Sequence, residues 1–220
     1  MDTNRVENAM RFYILATKLK YKIRSGWDDR HWKVNAVRRE SVAEHVYGTC
    51  ILAISIASEF ECNIDLNKVI KMLVLHEIGE VIIGDITPFD NVTPEEKYRI
   101  EHEAIEAIVG DLLLKDEIIS LLNEFDAHQT KESIFAYHCD KLEANLQIKT
   151  YQDMGCVHPL YDQQNNVVFK FPKIREIMKA GAKTTFDVWY EADKSKFADD
   201  EVFMQMLNYV KEINTQAIKV

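Results

Sequence analysis

Apolar residues recur at helical spacing along much of the chain. Near the N-terminus, Val6, Met10, Tyr13, Ile14 and Thr17 fall close to the spacing that places side chains on one face of a helix, which predicts a first helix over about residues 4–20. Glycine and proline are scarce, with 7 and 4 residues, whereas an all-β fold needs many tight turns. The pattern therefore predicts an all-α protein, a helical bundle with short connections.

Capping residues indicate where several of the helices begin. The segment Ser41-Val42-Ala43-Glu44 is typical of a capping box and predicts a second helix to about residue 60. Asp65 is the expected cap of a third, unbroken helix that continues through Ile83 and ends at Gly84. Further helices are predicted from Thr93-Pro94, from Asp116 to about 125, and over about 131–154, 173–194 with a break at Gly181, and 199–215.

Composition limits the classes of function. The chain has 220 residues, of which 47% are hydrophobic and 29% charged, values typical of one soluble globular domain over residues 1–220. Its formal net charge is −9, which argues against nucleic-acid binding because a nucleic-acid groove needs a basic stripe. An anionic substrate would therefore need a local cation or a metal ion.

The sequence also predicts a cytoplasmic protein that does not enter a membrane. The polar start of the chain lacks a signal pattern, and the longest apolar run, residues 50–57, is too short to span a bilayer. The cysteines show no CxxC spacing and are interpreted as reduced thiols: Cys50, Cys62, Cys139 and Cys156.

Charged residues near the middle of the chain concentrate in one segment, His76 to Asp85. If this segment is helical, His76 and Glu80 are one turn apart and share a face, with Glu77 beside them. Buried charge is costly unless it is paired or bound to a metal. The segment therefore predicts either a hydrated face or a cation held against it.

Two residues on other predicted helices could complete a metal site. His45 lies near the start of the second helix and Asp140 in the sixth, and helical bundles can hold a metal between such side chains. The spacing alone leaves an alternative, in which the histidines are structural and Asp140 pairs with Lys141 or Lys149. In contrast, Glu101, Glu103 and Glu106, with Lys97 and Arg99, are interpreted as a solvated helix face.

The segment Arg24 to Arg39 is rich in arginine, tryptophan and histidine and has no clear period. We interpret it as a loop. It is either a solvated surface loop or a place where the protein grips an anion that carries a flat ring.

Three spaced motifs resemble the HD-domain phosphohydrolase superfamily, and within it the 5′-nucleotidase-like branch that acts on nucleoside monophosphates. That branch has Asn-x-x-Arg-x-Glu-(Ser/Asn)-Val-x-(Glu/Asp)-His, then His-Asp-x-x-Glu followed by Gly-Asp and usually Thr or Pro, and later an Asp that opens Asp-Lys-Leu-Glu. The resemblance covers roughly residues 10–150, so the motif-bearing core is about 10–155 and residues 156–220 form a C-terminal helical extension. The matching residues are Asn35, Arg38, Glu40-Ser41-Val42, Glu44-His45, His76-Glu77-Ile78-Gly79-Glu80, Gly84-Asp85-Ile86-Thr87-Pro88 and Asp140-Lys141-Leu142-Glu143.

The resemblance implies a metal-dependent phosphohydrolase, most specifically a 5′-nucleotidase acting on (deoxy)nucleoside 5′-monophosphates, and a homodimer. It also implies one divalent ion (Mn, Co, Mg, Zn or Fe), which activates the attacking water. The acids that manage that water would be Glu80 and Asp85, in an undetermined division of roles. The implied metal ligands are His45, His76, Glu77 and Asp140.

The resemblance further implies substrate contacts by an arginine and a tryptophan ahead of the Asn35 motif, and by Thr87. Two alignments fit the first pair. Arg30 with Trp32 is preferred by its distance from His45, and Arg24 with Trp27 is the alternative.

One position departs from the family pattern, because Glu77 stands where the family has Asp. Glu is a competent oxygen ligand but reaches one methylene further. Two other functions therefore stay open: a related HD phosphodiesterase or nucleoside triphosphate hydrolase, or a nucleotide-binding helical module with weakened catalysis.

Overall fold

The structure, a computed structural model, describes residues 3–218. The predicted 1–220 domain also contains residues 1, 2, 219 and 220, which lie outside the described part. The prediction of an all-α fold is confirmed, since residues 3–218 contain no sheet, and only two isolated bridges, Ile23 to Ser41 and Val34 to Val157, join extended segments. The α-helices are α1 (Thr3–Ala16), α2 (Val42–Glu59), α3 (Leu66–Leu75), α4 (Glu80–Ile83), α5 (Pro94–Val109), α6 (Lys115–Ala127), α7 (Lys131–Asp153), α8 (Pro172–Lys179), α9 (Thr185–Asp193) and α10 (Glu201–Glu212).

The chain separates into two compact units. The first contains the chain up to Ile23 together with Glu40–Cys139, and the second contains Arg24–Arg39 together with the chain from Asp140 onward. Helix α7 is continuous across this boundary. The single-domain organisation stays a prediction.

The core of the first unit forms where α1, α5 and α6 meet the turn after α3. Its buried residues include Ile78, Ile105 and Leu122, and the inner face of α1 packs against them through Phe12 and Leu15. Burial of such side chains stabilises a fold by roughly 1.5–3 kcal/mol each.

Local capping places His45. The Glu44 backbone N–H donates to Ser41 Oγ at 3.3 Å, and the Ser41 backbone N–H donates to the Glu44 carboxylate at 2.9 Å. This is the predicted capping box, so α2 begins just before His45. The prediction that Asp116 caps its helix is wrong, because the N-cap residue of α6 is Leu114. Asp116 lies in the first turn of α6, where its negative charge interacts favourably with the helix dipole.

The predicted unbroken helix from Asp65 to Ile83 is also wrong. Helix α3 ends at Leu75, and residues 76–79 form a tight turn before α4. In that turn the Ile78 backbone N–H donates to the Leu75 carbonyl at 2.9 Å, a bond that spans three residues instead of four. Gly84, with φ of +82°, ends α4 as expected.

Close packing explains why the turn contains a glycine. A Cβ atom built on Gly79 would lie 3.3 Å from the carbonyl oxygen of Glu101 in α5. Helix α5 therefore approaches the backbone of residues 76–79 closely, and the His76-Glu77 pair sits in this tight turn and not on a regular helix.

The second unit has an aromatic core. Trp27 is 1% exposed and stacks on Trp189 with ring centroids 5.5 Å apart. Arg24–Arg39 is mostly irregular, as predicted, but its interpretation as a solvated loop is wrong because Trp27, His31 and Trp32 are buried. The loop supplies side chains to the core and not only to the surface.

Two further observations concern the environment of the chain. Among residues 3–218, every helix falls short of the length or apolar character needed to cross a bilayer. Within residues 3–218, none of the four cysteines forms a disulfide bond, in agreement with the interpretation as reduced thiols. The cytoplasmic location stays a prediction.

Candidate metal centre

Two histidine side chains, one from α2 and one from the turn after α3, lie close together in the first unit. His45, the fourth residue of α2, is fully buried, and the His76 side chain, directly after α3, is 3% exposed. Their ring centroids are 5.5 Å apart at an interplanar angle of 60°. The two imidazoles are therefore close enough to share one ligand.

A backbone contact fixes the tautomer of His76. Its Nδ1 atom lies 2.7 Å from the carbonyl oxygen of Leu73, and a carbonyl oxygen only accepts hydrogen bonds. Nδ1 must then carry the proton, which leaves Nε2 with its lone pair. A histidine oriented in this way by a backbone carbonyl is the usual form of a metal ligand.

Glu77 brings a carboxylate to both histidines. Its Oε1 atom is 3.4 Å from His76 Nε2 and 3.8 Å from His45 Nε2. For bonds of about 2.1 Å, ligands in cis positions around a small dication are about 3.0 Å apart and those in trans positions about 4.2 Å apart. The observed distances lie between these limits, so the longer side chain of Glu is compatible with the site.

Asp140 lies near the middle of α7 and is 5% exposed. One ligand atom from each of the four side chains can be chosen so that all lie within 4.8 Å of one another. Lys141 Nζ is 2.7 Å from the Asp140 Oδ2 atom, so the predicted alternative pair also exists, and a carboxylate can serve both partners. Lys149 instead binds Asp153 at 2.6 Å.

These donors fit a divalent transition metal. Two imidazoles and two carboxylates suit Mn, Fe, Co and Zn more than the softer ions that prefer thiolates. Without a cation, the half-buried carboxylate of Glu77 and the buried carboxylate of Asp140 would lie close together and repel. The structure thus brings together the four residues that the resemblance implies as ligands, and their role as ligands stays a prediction.

Glu80 begins α4 beside this cluster and is 4% exposed. It lines a cavity of about 20 Å³, enough space for one water molecule. The cavity is lined by His76, Gly79, Glu80, Glu101, Ile105, Leu122 and Asp126.

Sequence reasoning missed two acids of this cavity. Glu101 was expected on a solvated face, yet burial raises the pKa of its carboxyl group, the charge of nearby Glu77 adds to the rise, and Lys97, 3.4 Å away, opposes it. Burial likewise raises the pKa of Asp126, against the lowering effect of His102 and His76. Both carboxyl groups therefore ionise less readily than exposed ones.

We expect Glu101→Gln to stabilise the metal-free protein at pH 8. Because the pKa of Glu101 is raised in the folded chain, its stabilising contribution is present at low pH and is lost as pH rises from its ordinary value of 4.5. The neutral amide avoids this loss and keeps an acceptor for Lys97. Thermal unfolding in a chelator should show a Tm higher by about 2 °C at pH 8 and no difference at pH 4. An equal or lower Tm at pH 8 would contradict the burial of this charge.

Thr87 shapes the loop between α4 and α5. Its backbone N–H and its hydroxyl both donate to Asp90 Oδ2 at 2.8 Å, and Lys97 donates to the carbonyl of Ile86 at 2.9 Å. Asp85 directly follows Gly84 at the start of this loop. The substrate role of Thr87 and the catalytic role of Asp85 stay predictions.

The second unit contains both candidate arginine–tryptophan pairs. The Arg30 side chain is 68% exposed and is held by Asp28 at 3.1 Å. Arg24 is 17% exposed, lies 5.8 Å from the Trp27 ring, and its guanidinium is 3.8 Å from Glu143. Since Glu143 follows Asp140 by three residues on α7, both acids lie on one helix face. This observation favours the alternative alignment, Arg24, for an anion-binding role.

Solved structures provide a first comparison. The chain resembles a crystal structure from Magnetospirillum magnetotacticum MS-1, described as a predicted metal-dependent phosphohydrolase, with a TM-score of 0.65 and 21% identity over 95% of both chains. It also resembles the PH0347 protein from Pyrococcus horikoshii OT3, with a TM-score of 0.63 and 22% identity over 91% of this chain and 97% of that one. These likenesses confirm the fold.

Sequence relatives and a family model provide the second comparison. The 5′-deoxynucleotidase HDDC2 of Dictyostelium discoideum is 34% identical over 154 residues, covering 67% of this chain and 79% of the relative. The human protein of the same name is 30% identical over 175 residues, covering 77% of this chain and 82% of the relative. The model described as HD domain matches residues 16–179, well over half of the chain. The chain therefore belongs to the HD domain family.

Proposed function

We propose that this chain is a metal-dependent 5′-nucleotidase that releases phosphate from (deoxy)nucleoside 5′-monophosphates. The observation that carries the proposal is the convergence of two imidazoles and two carboxylates in one cluster. The relatives from D. discoideum and human support the substrate class, because both are named 5′-deoxynucleotidases.

The proposed metal ligands are His45, His76, Glu77 and Asp140. A divalent ion held by them supplies Lewis-acid activation of water and of a phosphoryl oxygen. The protein contributes the arrangement of the ligands: the Leu73 carbonyl fixes the His76 ring, and the turn at residues 76–79 directs Glu77 toward both histidines.

Glu80 is the acid best placed to handle the protons of the reaction. It is almost fully buried, directly follows the turn that carries His76 and Glu77, and lines the same small cavity as His76. We assign it to orient or deprotonate the attacking water, or to protonate the leaving oxygen. Asp85, five residues on and past Gly84, is the second proposed acid.

Arg24 is the proposed phosphate ligand. We expect Arg24→Ala to raise KM for a nucleoside monophosphate by about 10-fold or more, since a charged hydrogen bond contributes roughly 1.5–3 kcal/mol. The matched change Arg30→Ala should alter KM by less than about twofold, because that side chain is exposed and bound to Asp28. Steady-state kinetics at saturating metal measures both values. A larger effect at Arg30 would restore the first alignment, with Trp32.

The function is tested by phosphate release from a panel of ribo- and deoxyribonucleoside monophosphates with Mn, Co, Mg, Zn or Fe. We expect turnover that requires metal and yields the nucleoside and inorganic phosphate. If the protein hydrolyses a phosphodiester or a nucleoside triphosphate but no monophosphate, it is another kind of HD phosphohydrolase. A stoichiometric ion without turnover of any phosphate ester would indicate a binding module.

The proposal includes a homodimer, which the family resemblance implies. The cytoplasmic location is proposed with it and is consistent with cysteines that are not joined in disulfide bonds within residues 3–218.

A further inference from the structure

Helix α4 is too short to hold its own position. It contains four residues, Glu80–Ile83, whereas isolated helices shorter than roughly 12–15 residues are marginal in water. Its first residue is the proposed acid Glu80, and the second proposed acid, Asp85, comes two residues after its end. The relative placement of the two acids therefore depends on the contacts that other elements make at the two ends of α4.

Helix α5 approaches the chain closely at the N-terminal end of α4. A Cβ atom built on Gly79, the residue before α4, would lie 3.3 Å from the carbonyl oxygen of Glu101. The Glu101 side chain lines the same small cavity as Glu80. The beginning of α4 is therefore held by close packing against the backbone of α5.

A lysine of α5 contacts the chain at the other end of α4. Lys97 Nζ donates a hydrogen bond to the carbonyl oxygen of Ile86, the residue directly after Asp85, at 2.9 Å. The same ammonium group is 3.4 Å from the carboxylate of Glu101, which lies one turn further along α5. Lys97 thus joins the segment after α4 to the residue of α5 whose backbone packs against the segment before α4.

The preferences of α5 itself do not explain why a cation stands at position 97. Lys97 is the fourth residue of α5, near the end where the helix dipole favours acids, and the two residues before it are Glu95 and Glu96. Its side chain is 37% exposed, so it lies partly inside the protein. Its charge is compensated there by contacts outside the first turn of the helix, with the Ile86 carbonyl and the Glu101 carboxylate.

The segment that Lys97 contacts is itself ordered by a turn. Thr87 donates to the Asp90 carboxylate through its backbone N–H and its hydroxyl, and the Asp90 backbone N–H donates to the Thr87 carbonyl at 3.1 Å. A hydrogen bond at Ile86 therefore holds this turn as a unit. Asp85 lies between the turn and α4, so its backbone is restricted on both sides.

We infer that Lys97 is a positioning residue, which holds residues 85–87 against α5 and so fixes Asp85 relative to Glu80. In this role Lys97 acts through Asp85 and not on the substrate. A misplacement of about 1 Å can lower the rate of a reaction by about 10²-fold, so a contact one residue away from an acid can affect its chemistry. The inference rests on the proposed function for the role of the two acids, whereas the attachment of the segment to α5 can be measured separately.

Lys97→Met tests the effect on the reaction, because methionine keeps an unbranched apolar side chain and removes the ammonium group. We expect kcat for a nucleoside monophosphate to fall by about 10-fold or more, with KM and metal content near the wild-type values. Lys97→Arg retains a charged donor and should keep kcat within about threefold of wild type. Lys71→Met is the matched control, since it removes an exposed ammonium that pairs with Glu117, and it should change none of these values.

Hydrogen exchange tests the attachment without relying on activity. The backbone N–H groups of Thr87, Phe89 and Asp90 are hydrogen-bonded within the segment, so their exchange reports on its opening. We expect these amides to exchange about 10-fold faster or more in Lys97→Met, at the wild-type rate in Lys71→Met, and close to that rate in Lys97→Arg. The amides of α2 should be unaffected in all three variants.

Unchanged exchange over residues 85–92 in Lys97→Met would overturn the inference, whatever the activity of the variant. An equal loss of kcat in Lys97→Met and Lys97→Arg would also overturn it, because the arginine retains the donor. If the wild type releases no phosphate, the proposed function fails, and the exchange rates still decide whether Lys97 holds the segment against α5.

Discussion

We expect His76→Ala to be isolated without its metal ion and to lose phosphate release by more than about 100-fold. Altering a residue that only orients a metal ligand typically costs 10–100-fold, and removal of the ligand itself should cost more. His76 is the side chain whose Nε2 is prepared by the Leu73 carbonyl and lies 3.4 Å from Glu77. Its loss would leave Glu77 without its nearest imidazole partner.

Two measurements check this expectation without relying on activity alone. Elemental analysis of the purified variant gives the metal content. Thermal unfolding with added Mn or Co gives the second measurement. At an ion concentration of 100 times the Kd, the free energy of unfolding of the wild type should rise by about 2.7 kcal/mol, because only the folded state binds the ion. The variant should show almost no such shift.

His102→Ala is the matched control. It removes an imidazole from the same unit, but one whose Nε2 is bonded to Asn123 at 2.7 Å on α6 and which belongs to no ligand cluster found within residues 3–218. Metal content should be unchanged and activity should stay within about twofold. A stoichiometric ion in His76→Ala would contradict the proposed ligand set.

The sequence predicted those parts of the fold that depend on local interactions. The start of α2 followed from Ser41 and Glu44, which hydrogen-bond within four residues. The break between α3 and α4 could not be predicted in this way. It depends on the approach of α5 to Gly79, a contact between segments more than 20 residues apart. The spacing of apolar residues along the chain does not indicate which distant segments come into contact.

The same distinction applies to the site. The four proposed ligands could be listed because three spaced motifs point to them. Glu101 could not be distinguished from exposed Glu103 and Glu106 on the same helix, since burial depends on which face of α5 meets the turn at residues 76–79. The choice between Arg24 and Arg30 likewise depends on their partners, Glu143 and Asp28.

We expect Glu80→Gln to lower kcat by about 10²–10⁴-fold while metal content and KM stay near the wild-type values. Glutamine has nearly the same shape and can still accept a hydrogen bond, but it cannot take up a proton. The carboxylate is nearly fully buried next to the cluster, so water cannot easily replace it. The loss should therefore appear in the chemical step and not in binding.

Comparison with Asp85→Asn separates the two acids. If Glu80 is the general base, its amide variant loses the acid limb of the pH–kcat profile, and Asp85→Asn keeps that limb. If the limb survives in Glu80→Gln and disappears in Asp85→Asn, the roles are exchanged. Glu106→Gln, at an exposed position of α5, should alter neither kcat nor the profile. Unchanged kcat in both Glu80→Gln and Asp85→Asn would contradict proton handling by either acid, even in a protein that keeps its metal ion.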